Sequence, residues 1–186
     1  MFDAGLNFFA YAKNNPPTLA DPKGLYTWQD VKPAWDHYCS GTGTPWTTNF
    51  NSINWGDTSE RVFGMIKSMV GGTCSDRTIP VNFSMGAQTA GADAMIIGRH
   101  VVKVQGTIKV NCDCTWTFLG DMSSKLGYDP YDFDPSNRGI AGETATWIGA
   151  HRCPKKGKPF NIYLPGSDAM AANGHIEGKS TCKCKK

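Results

Sequence analysis

Two hydrophobic periodicities divide the chain. In DTSERVFGMIKSMV, residues 57–70, apolar side chains recur every three to four positions, the spacing of a helix with one buried face. Asp57 followed by Glu60 has the form of a capping box, and Gly71 with Gly72 indicates the end of the helix. We therefore predict a helix that ends at residue 70.

After Cys74 the apolar and polar positions alternate, which is typical of strands with one wet face. Five runs are predicted strands: IPVNFS, DAMIIG, HVVKVQGTIKV, CTWTF and PFNIYL. In the longest run, Val102, Val104, Ile108 and Val110 are predicted on one face, with Lys103, Gln105 and Lys109 on the other. Gly106 within that run indicates a bend or a bulge.

Strands this close in sequence pair antiparallel, and a sheet with one dry face curls or packs against a helix. We therefore predict an α+β fold, with a curved, open, barrel-like antiparallel sheet and a few packed helices. GETATWIGAH, residues 142–151, predicts a short helix. Residues 1–36 contain NNPPTLADPKG and are predicted to be an irregular lead-in with at most a short helix, followed by one domain over 37–186, in a chain that is a single compact domain overall.

Composition narrows the possible partners. The chain has 186 residues, 40% of them hydrophobic, which is enough for one ordinary core. A net charge of +3, with lysines clustered only in CPKKGK and KSTCKCKK, argues against a nucleic-acid partner. No apolar run approaches the roughly 20 residues that span a bilayer. The acidic start MFDAGLNFF lacks the positive flank of a secretory signal, so we expect any export to use another route.

Seven cysteines indicate a protein that works in an oxidising compartment. CDC at 112–114 and CKC at 182–184 form matching pairs, which suits two disulfides between a strand and the tail. A four-cysteine zinc site is the alternative, although zinc knuckles usually have C-x₂₋₄-C spacing. Because the count is odd, at least one thiol lacks an intramolecular partner.

The segment GYDPYDFDPSNRG, residues 127–139, is richest in candidate chemistry and is predicted to be a loop carried by the sheet. Asp129 and Asp132 offer hard oxygen ligands for Mg²⁺ or Ca²⁺, and either carboxylate could be a general base. Arg138 carries a guanidinium whose donors match phosphate oxygens. Together these groups point to phosphoester or pyrophosphate chemistry.

The same segment also has an ordinary interpretation. DP, DPSN and flanking glycines make common turns, Tyr131 and Phe133 could anchor the loop, and Arg138 could pair with Asp134. No Ser-His-Asp order, phosphate-binding glycine loop or HExxH helix competes elsewhere. Among the histidines, His151 is the best spare acid or base, whereas structural roles are predicted for His37, His100 and His175.

Several segments resemble the activity domain of the colicin M family, bacteriocins that degrade lipid II. They occur in the family's order and at similar intervals over about residues 37–166: HYCSGTGTP, GTIKV, TWTF, YDFDPSNRGIAGE and IYLPG. The resemblance implies an antibacterial toxin that hydrolyses the phosphoester between the undecaprenyl chain and the pyrophosphate of lipid II, which blocks peptidoglycan synthesis and lyses the target cell. It also implies a curved open barrel with helices packed on it.

The resemblance implies the site residues as well. The family's D-x-Y-D motif falls on Asp129, Tyr131 and Asp132, and its essential arginine falls on Arg138. The implied cofactor is Mg²⁺ or another divalent cation, with Asp129 and Asp132 as metal ligands. The implied partners are lipid II, embedded in the membrane, and a cognate immunity protein in the producer. The implied place of action is the periplasm of the target cell, at the outer face of the inner membrane.

One position departs from the family pattern: Asn137 stands where the family prototype has a histidine before the arginine, and one residue fewer separates it from the second aspartate. Asparagine cannot take a proton at neutral pH. The histidine's task was therefore orientation, or His151 substitutes for it, or this enzyme is altered. We favour orientation, because Asp132 remains as a base.

The family prototype also carries receptor-binding and import segments, whereas only about three dozen residues precede the match here. We therefore expect a stand-alone effector, or the toxin end of a larger polypeptide, delivered by a secretion machine or another carrier. Two rival interpretations stay open. One is a non-catalytic domain that binds lipid pyrophosphate, and the other is a cysteine-stapled structural or adhesive module.

Overall fold

The computed structural model describes residues 28–91, 93–131, 153 and 157–177. These residues belong to two compact units that alternate along the chain. The described part of the first unit is 28–47, 90–91, 93–98, 128–131, 153 and 157–163, and that of the second is 48–89, 99–127 and 164–177. The division between a lead-in at 1–36 and a domain at 37–186 stays a prediction, since residues 1–27 lie outside the described residues.

The second unit contains a four-stranded antiparallel sheet in the order β2-β3-β4-β7. Its strands are β2 (Arg77–Gln88), β3 (Arg99–Val110), β4 (Thr115–Ser124) and β7 (Ser167–His175). The first three confirm the predicted strands. The sequence analysis missed β7, because SDAMAANGH is rich in alanine, asparagine and glycine, which have low strand propensity.

One face of this sheet forms the core of the second unit. Val102, Val104, Ile108 and Val110 of β3 are all fully buried, as their alternation predicted. Helix α2 (Thr58–Val70) packs against β2 and β3, and its own buried apolar side chains are Val62, Ile66 and Val70. Burial of both apolar faces in one contact is what stabilises the pair.

Helix α2 ends where the sequence predicted, but the unpaired backbone groups at its two ends find partners in different ways. Gly71 follows the last helical residue with φ of 71°, a left-handed conformation that glycine adopts without steric cost. The guanidinium of Arg77 donates to the carbonyl oxygens of Val70, the last helical residue, and of Thr73, which follows the helix. At the other end, the side chain of Asp57 makes no capping hydrogen bond, so the predicted capping box is wrong.

The predicted bulge at Gly106 is also wrong. The register of β3 runs without interruption against both neighbours, with Gly106 opposite Val81 on β2 and Gly120 on β4. A Cβ at Gly106 would lie 2.7 Å from the Cα of Gly120 and 2.7 Å from the ring of Phe118. Glycine is therefore needed here for close approach across the sheet.

DAMIIG, predicted as a strand, instead contains the short helix α3 (Asp93–Ile96) in the first unit. The amide of Ile97 donates to the carbonyl of Asp93 at 2.8 Å, which closes the single turn. Gly98 follows with φ of 69°. A short apolar run has no period that separates a strand from a helix, and here local hydrogen bonding selected the helix.

The first unit combines helix α1 (Trp28–Cys39) with a three-stranded sheet in the order β1-β6-β5. The strands are β1 (Trp46–Thr47), β5 (Tyr128–Tyr131) and β6 (Phe160–Tyr163). β6 pairs parallel with β1 and antiparallel with β5. The predicted strand at PFNIYL is confirmed as β6.

Two disulfides lie within the units: Cys39–Cys153 in the first and Cys74–Cys114 in the second. Cys112 is also disulfide-bonded. Because Cys114 bonds to Cys74, the predicted pair of staples between CDC and the tail is wrong. A four-cysteine zinc site is also wrong, since zinc requires thiolates and Cys112 and Cys114 are in disulfides.

The α+β class is confirmed, but a barrel-like sheet is not, because the described strands form two separate sheets. The predicted helix at 142–151 lies outside the described residues. In the part of the chain that the structure describes, no helix is long and apolar enough to span a bilayer.

Candidate functional site

Asp129 and Tyr131 lie on strand β5, where the sequence analysis predicted a loop. Being two residues apart, they project from the same face of the strand, and both are buried, with 8% and 7% exposure. Their partners on β6 are Ile162 for Asp129 and Phe160 for Tyr131. The segment YDPY forms a strand because β6 offers a pairing edge, although Pro130 donates no hydrogen bond.

The ring of Tyr131 is part of the core of the first unit. It stacks on Phe160 with ring centroids 4.9 Å apart, and it meets Tyr38 of α1 edge-on at 6.2 Å. Such offset and edge-to-face pairs stabilise beyond the area they bury. Tyr131 therefore anchors β5, the role that the ordinary interpretation of this segment gave it.

The described neighbours of Asp129 across the sheet are apolar. Ile162 is fully buried, and on its other side it pairs with Trp46 of β1. A carboxylate on such a face loses hydration, which is unfavourable unless a cation or hydrogen-bond donors meet it. Asp129 has at least one hydrogen-bonding or electrostatic interaction. It is thus a buried carboxylate on a paired strand.

His37 holds the loop that follows α1. Its Nε2–H donates to the carbonyl oxygen of Thr44 at 2.7 Å, and its ring meets Phe160 edge-on at 4.4 Å. The hydroxyls of Ser40, Thr42 and Thr44 form a chain with O–O distances of 3.2 and 3.0 Å. These contacts support the structural role predicted for His37.

The other described histidines also have structural surroundings. His100 is buried in the second unit, where its Nε2 lies 2.8 Å from the hydroxyl of Ser124 and its ring lies 5.9 Å from that of Trp55. His175 is on the exposed side of β7, at its last residue. Neither adjoins Asp129 on its sheet.

The remaining candidates cannot be placed beside Asp129 and Tyr131. Asp132 and Arg138, with Asn137 and His151, lie outside the described residues. Within the described ranges, no three histidine, cysteine, aspartate or glutamate side chains gather closely enough to hold a metal ion. Of the two proposed metal ligands, Asp129 is therefore the one whose surroundings are known.

Sequence reasoning missed the last turn of α1 as part of this site. Tyr38 contacts Tyr131, and the next residue, Cys39, forms the disulfide with Cys153. The only sequence signal was the position of both residues inside HYCSGTGTP, one of the segments that carry the family resemblance. Local patterns do not show that this segment and YDPY meet.

Comparisons with known proteins identify the family. No protein-family model matches the chain. Colicin-M of Escherichia coli is 30% identical over 145 residues, a match that covers 74% of this chain and 50% of that protein. The chain thus spans about half the length of this curated relative.

Solved structures show the same fold. Truncated syringacin M from Pseudomonas syringae pv. tomato DC3000, a bacteriocin, matches with a TM-score of 0.58 and 25% identity, over 81% of this chain and 61% of that one. PaeM, a colicin M-like bacteriocin from Pseudomonas aeruginosa, matches with a TM-score of 0.62 and 21% identity, over 88% and 58%. The chain therefore belongs to the colicin M-like family of bacteriocins.

Proposed function

We propose that this protein is an antibacterial toxin and a metal-dependent hydrolase of lipid II. It cleaves the phosphoester between the undecaprenyl chain and the pyrophosphate, which releases undecaprenol and the pyrophosphorylated disaccharide peptide. Peptidoglycan synthesis then stops and the target cell lyses. The proposal goes from family membership to an activity. Its starting point is the match to Colicin-M, which covers about half of that protein.

One observation carries the proposal: Asp129, the first residue of the D-x-Y-D motif, is a buried carboxylate on a rigid strand. Tyr131, two residues after Asp129, stacks on Phe160 and so holds the backbone of β5 in place. A buried carboxylate costs more to desolvate than an apolar side chain in the same place, even when it has a partner. Buried carboxylates occur often at functional sites, which supports a functional role for Asp129.

The donor chemistry of Asp129 suits Mg²⁺, which prefers carboxylate oxygens together with substrate phosphates over dedicated protein cages. In the proposed site the remaining ligands are Asp132, the substrate and water. A cation bound there would neutralise charge on the pyrophosphate. Asp129 would hold it.

The remaining roles follow the family motif. Asp132 activates the attacking water, and Arg138 stabilises the negative charge that develops as the ester breaks. The same hypothesis gives Tyr131 a role in positioning the substrate. These assignments are the hypothesis that mutagenesis must test.

The proposed place of action is the periplasm of the target cell, at the outer face of the inner membrane, where the pyrophosphate of lipid II is accessible. A producer cell then needs a cognate immunity protein. Delivery by a secretion machine or another carrier is part of the same proposal. Purified protein that kills intact cells from outside as efficiently as periplasmic expression does would contradict that route.

The test incubates the purified chain with lipid II and Mg²⁺ in detergent, and chromatography then measures undecaprenol. We expect product with Mg²⁺, and intact lipid II when EDTA is added. Water labelled with ¹⁸O shows whether the label enters the pyrophosphate or the undecaprenol, which separates attack at phosphorus from attack at carbon.

Asn137 favours a second candidate function, a domain that binds lipid pyrophosphate without cleaving it, because asparagine cannot act as a general acid or base at neutral pH. The same incubation separates the two. Lipid II that is retained by the protein but stays intact indicates the binding domain. Lipid II that is neither bound nor cleaved indicates a cysteine-stapled structural or adhesive module.

A further inference from the structure

Two consecutive residues at the end of α1 contact Tyr131 and Cys153. Tyr38 meets the ring of Tyr131, the last residue of β5, at 6.2 Å. Cys39 forms the disulfide with Cys153. One helical turn therefore contacts Tyr131 through a ring and Cys153 through a disulfide.

The turn is itself firmly held. Tyr38 is 7% exposed, and its carbonyl oxygen accepts hydrogen bonds from the amides of Lys158 and Gly41, each at 3.1 Å. The ring lies so close to Gly157 that a Cβ there would overlap it. Lys158 leads directly into β6, the strand that pairs with β5. One turn of helix thus contacts β5 and the approach to its partner strand.

We infer that Tyr38 and the Cys39–Cys153 disulfide are positioning groups for Asp129 and Tyr131, so that full activity requires the oxidised protein. The inference rests on the proposed function. Asp129 and Tyr131 lie on one face of a four-residue strand, and a shift of the Tyr131 ring therefore moves the carboxylate two residues away. Displacements of about 1 Å at a reacting group lower rates by roughly 100-fold.

The disulfide makes this positioning conditional on the compartment. In a reducing cytoplasm Cys39 and Cys153 are thiols, and α1 is held only by packing and hydrogen bonds. In an oxidising compartment the two thiols lose two protons and two electrons to a disulfide-bearing oxidoreductase, which becomes a dithiol as the Cys39–Cys153 bond forms. The toxin would thus reach full activity only after it leaves the producer's cytoplasm.

The chain provides its own matched control. The test variant combines Cys39→Ala with Cys153→Ala, and the control combines Cys74→Ala with Cys114→Ala in the other unit. Each variant loses one bridge that closes a long loop, across sequence separations of 114 and 40 residues. Both therefore become easier to unfold. Assays are made at a temperature at which near-ultraviolet circular dichroism shows each variant to be folded.

Two readouts are needed. We expect lipid II turnover by the test variant to fall roughly 10- to 100-fold, mainly in kcat, and that of the control to stay within about threefold of wild type. Amide hydrogen exchange of β5 and β6 should accelerate in the test variant and not in the control. The exchange readout does not require lipid II to be the substrate.

Equal losses of turnover in the two variants, or unchanged exchange in β5 of the test variant, would overturn the inference. If wild type itself leaves lipid II intact, the proposed function fails, while exchange still decides whether this turn positions β5. If the double alanine variant does not fold, Tyr38→Leu keeps the disulfide and removes the ring contact. It should lower turnover and accelerate exchange in β5, and unchanged values of both would contradict the inference.

Discussion

Gly106 of β3 lies directly opposite Gly120 of β4, and the ring of Phe118 covers the space beside both glycines. A Cβ on Gly120 would lie 2.8 Å from the Cα of Gly106 and 2.7 Å from that ring. The two backbones and the fully buried ring therefore fit together only without side chains at these two positions.

Gly106→Ala should destabilise the protein by about 1–3 kcal/mol, because the added methyl group overlaps backbone that cannot move away cheaply. Urea unfolding followed by fluorescence measures the change in midpoint at constant slope. The control is Gly86→Ala on β2, where a Cβ would have no neighbour within 4 Å. That variant should unfold within about 0.5 kcal/mol of wild type, and equal losses would contradict the close-approach explanation.

Asp129→Asn should lower lipid II turnover by at least about 100-fold, because the amide keeps the shape of the carboxylate but loses its charge and metal affinity. The measurement is undecaprenol released at saturating Mg²⁺. Asp168→Asn on β7, in the second unit, is the matched control and should turn over lipid II like wild type. A folded Asp129→Asn protein with normal turnover would remove Asp129 from the mechanism.

Asp132→Ala should abolish turnover and lysis if Asp132 activates the water. Its circular dichroism should match that of wild type, since the proposed role is chemical. Periplasmic expression in a sensitive strain measures lysis, and detergent-solubilised lipid II measures turnover. Full turnover by the folded variant would assign the base to another group.

Two substitutions of Tyr131 should separate its role in packing from its proposed role in the reaction. Tyr131→Ala removes the ring that stacks on Phe160 and meets Tyr38, and should destabilise the protein by about 3–5 kcal/mol. Tyr131→Phe keeps both ring contacts and should cost less than about 1 kcal/mol. Turnover by Tyr131→Phe then reports on the hydroxyl alone. A rate equal to wild type would limit Tyr131 to anchoring β5.

Asp113 should titrate below the ordinary aspartate value. The hydroxyl of Thr115 donates to its carboxylate at 2.6 Å and the amide of Thr115 at 3.0 Å, and these bonds lower the pKa of Asp113. Because the folded pKa is depressed, these bonds stabilise the β3–β4 turn above the unfolded pKa. That contribution is lost as pH falls through the folded pKa.

Thr115→Val removes the hydroxyl, which is the largest cause, and should raise the pKa of Asp113 toward 3.8. The amide donor remains, so part of the depression should persist. Carboxyl ¹³C chemical shifts recorded between pH 2 and 6 measure both values. A pKa that is the same in the two proteins would show that the hydroxyl does not determine it.

The elements that the sequence predicted are those whose own residues carry the periodicity. Helix α2 and strands β2, β3 and β4 bury one face each, so the period of their apolar positions predicted the type of each element, although β2 and β4 extend beyond the predicted runs. The family resemblance added the motif that contains Asp129, but it left that residue in a loop. The fold class was therefore predictable, whereas the separation into two sheets was not.

Non-local pairing decided the rest. β7 has a weak strand sequence and exists because β4 offers its edge, and β5 forms against β6 for the same reason. Each described disulfide joins two segments that only the tertiary structure brings together: Cys114 bonds to Cys74, and Cys39 bonds to Cys153. The sequence alone determined which faces must be buried, because burial follows from each residue's own chemistry. Only the tertiary structure decided what each face meets, because a partner that is distant in sequence leaves no local pattern.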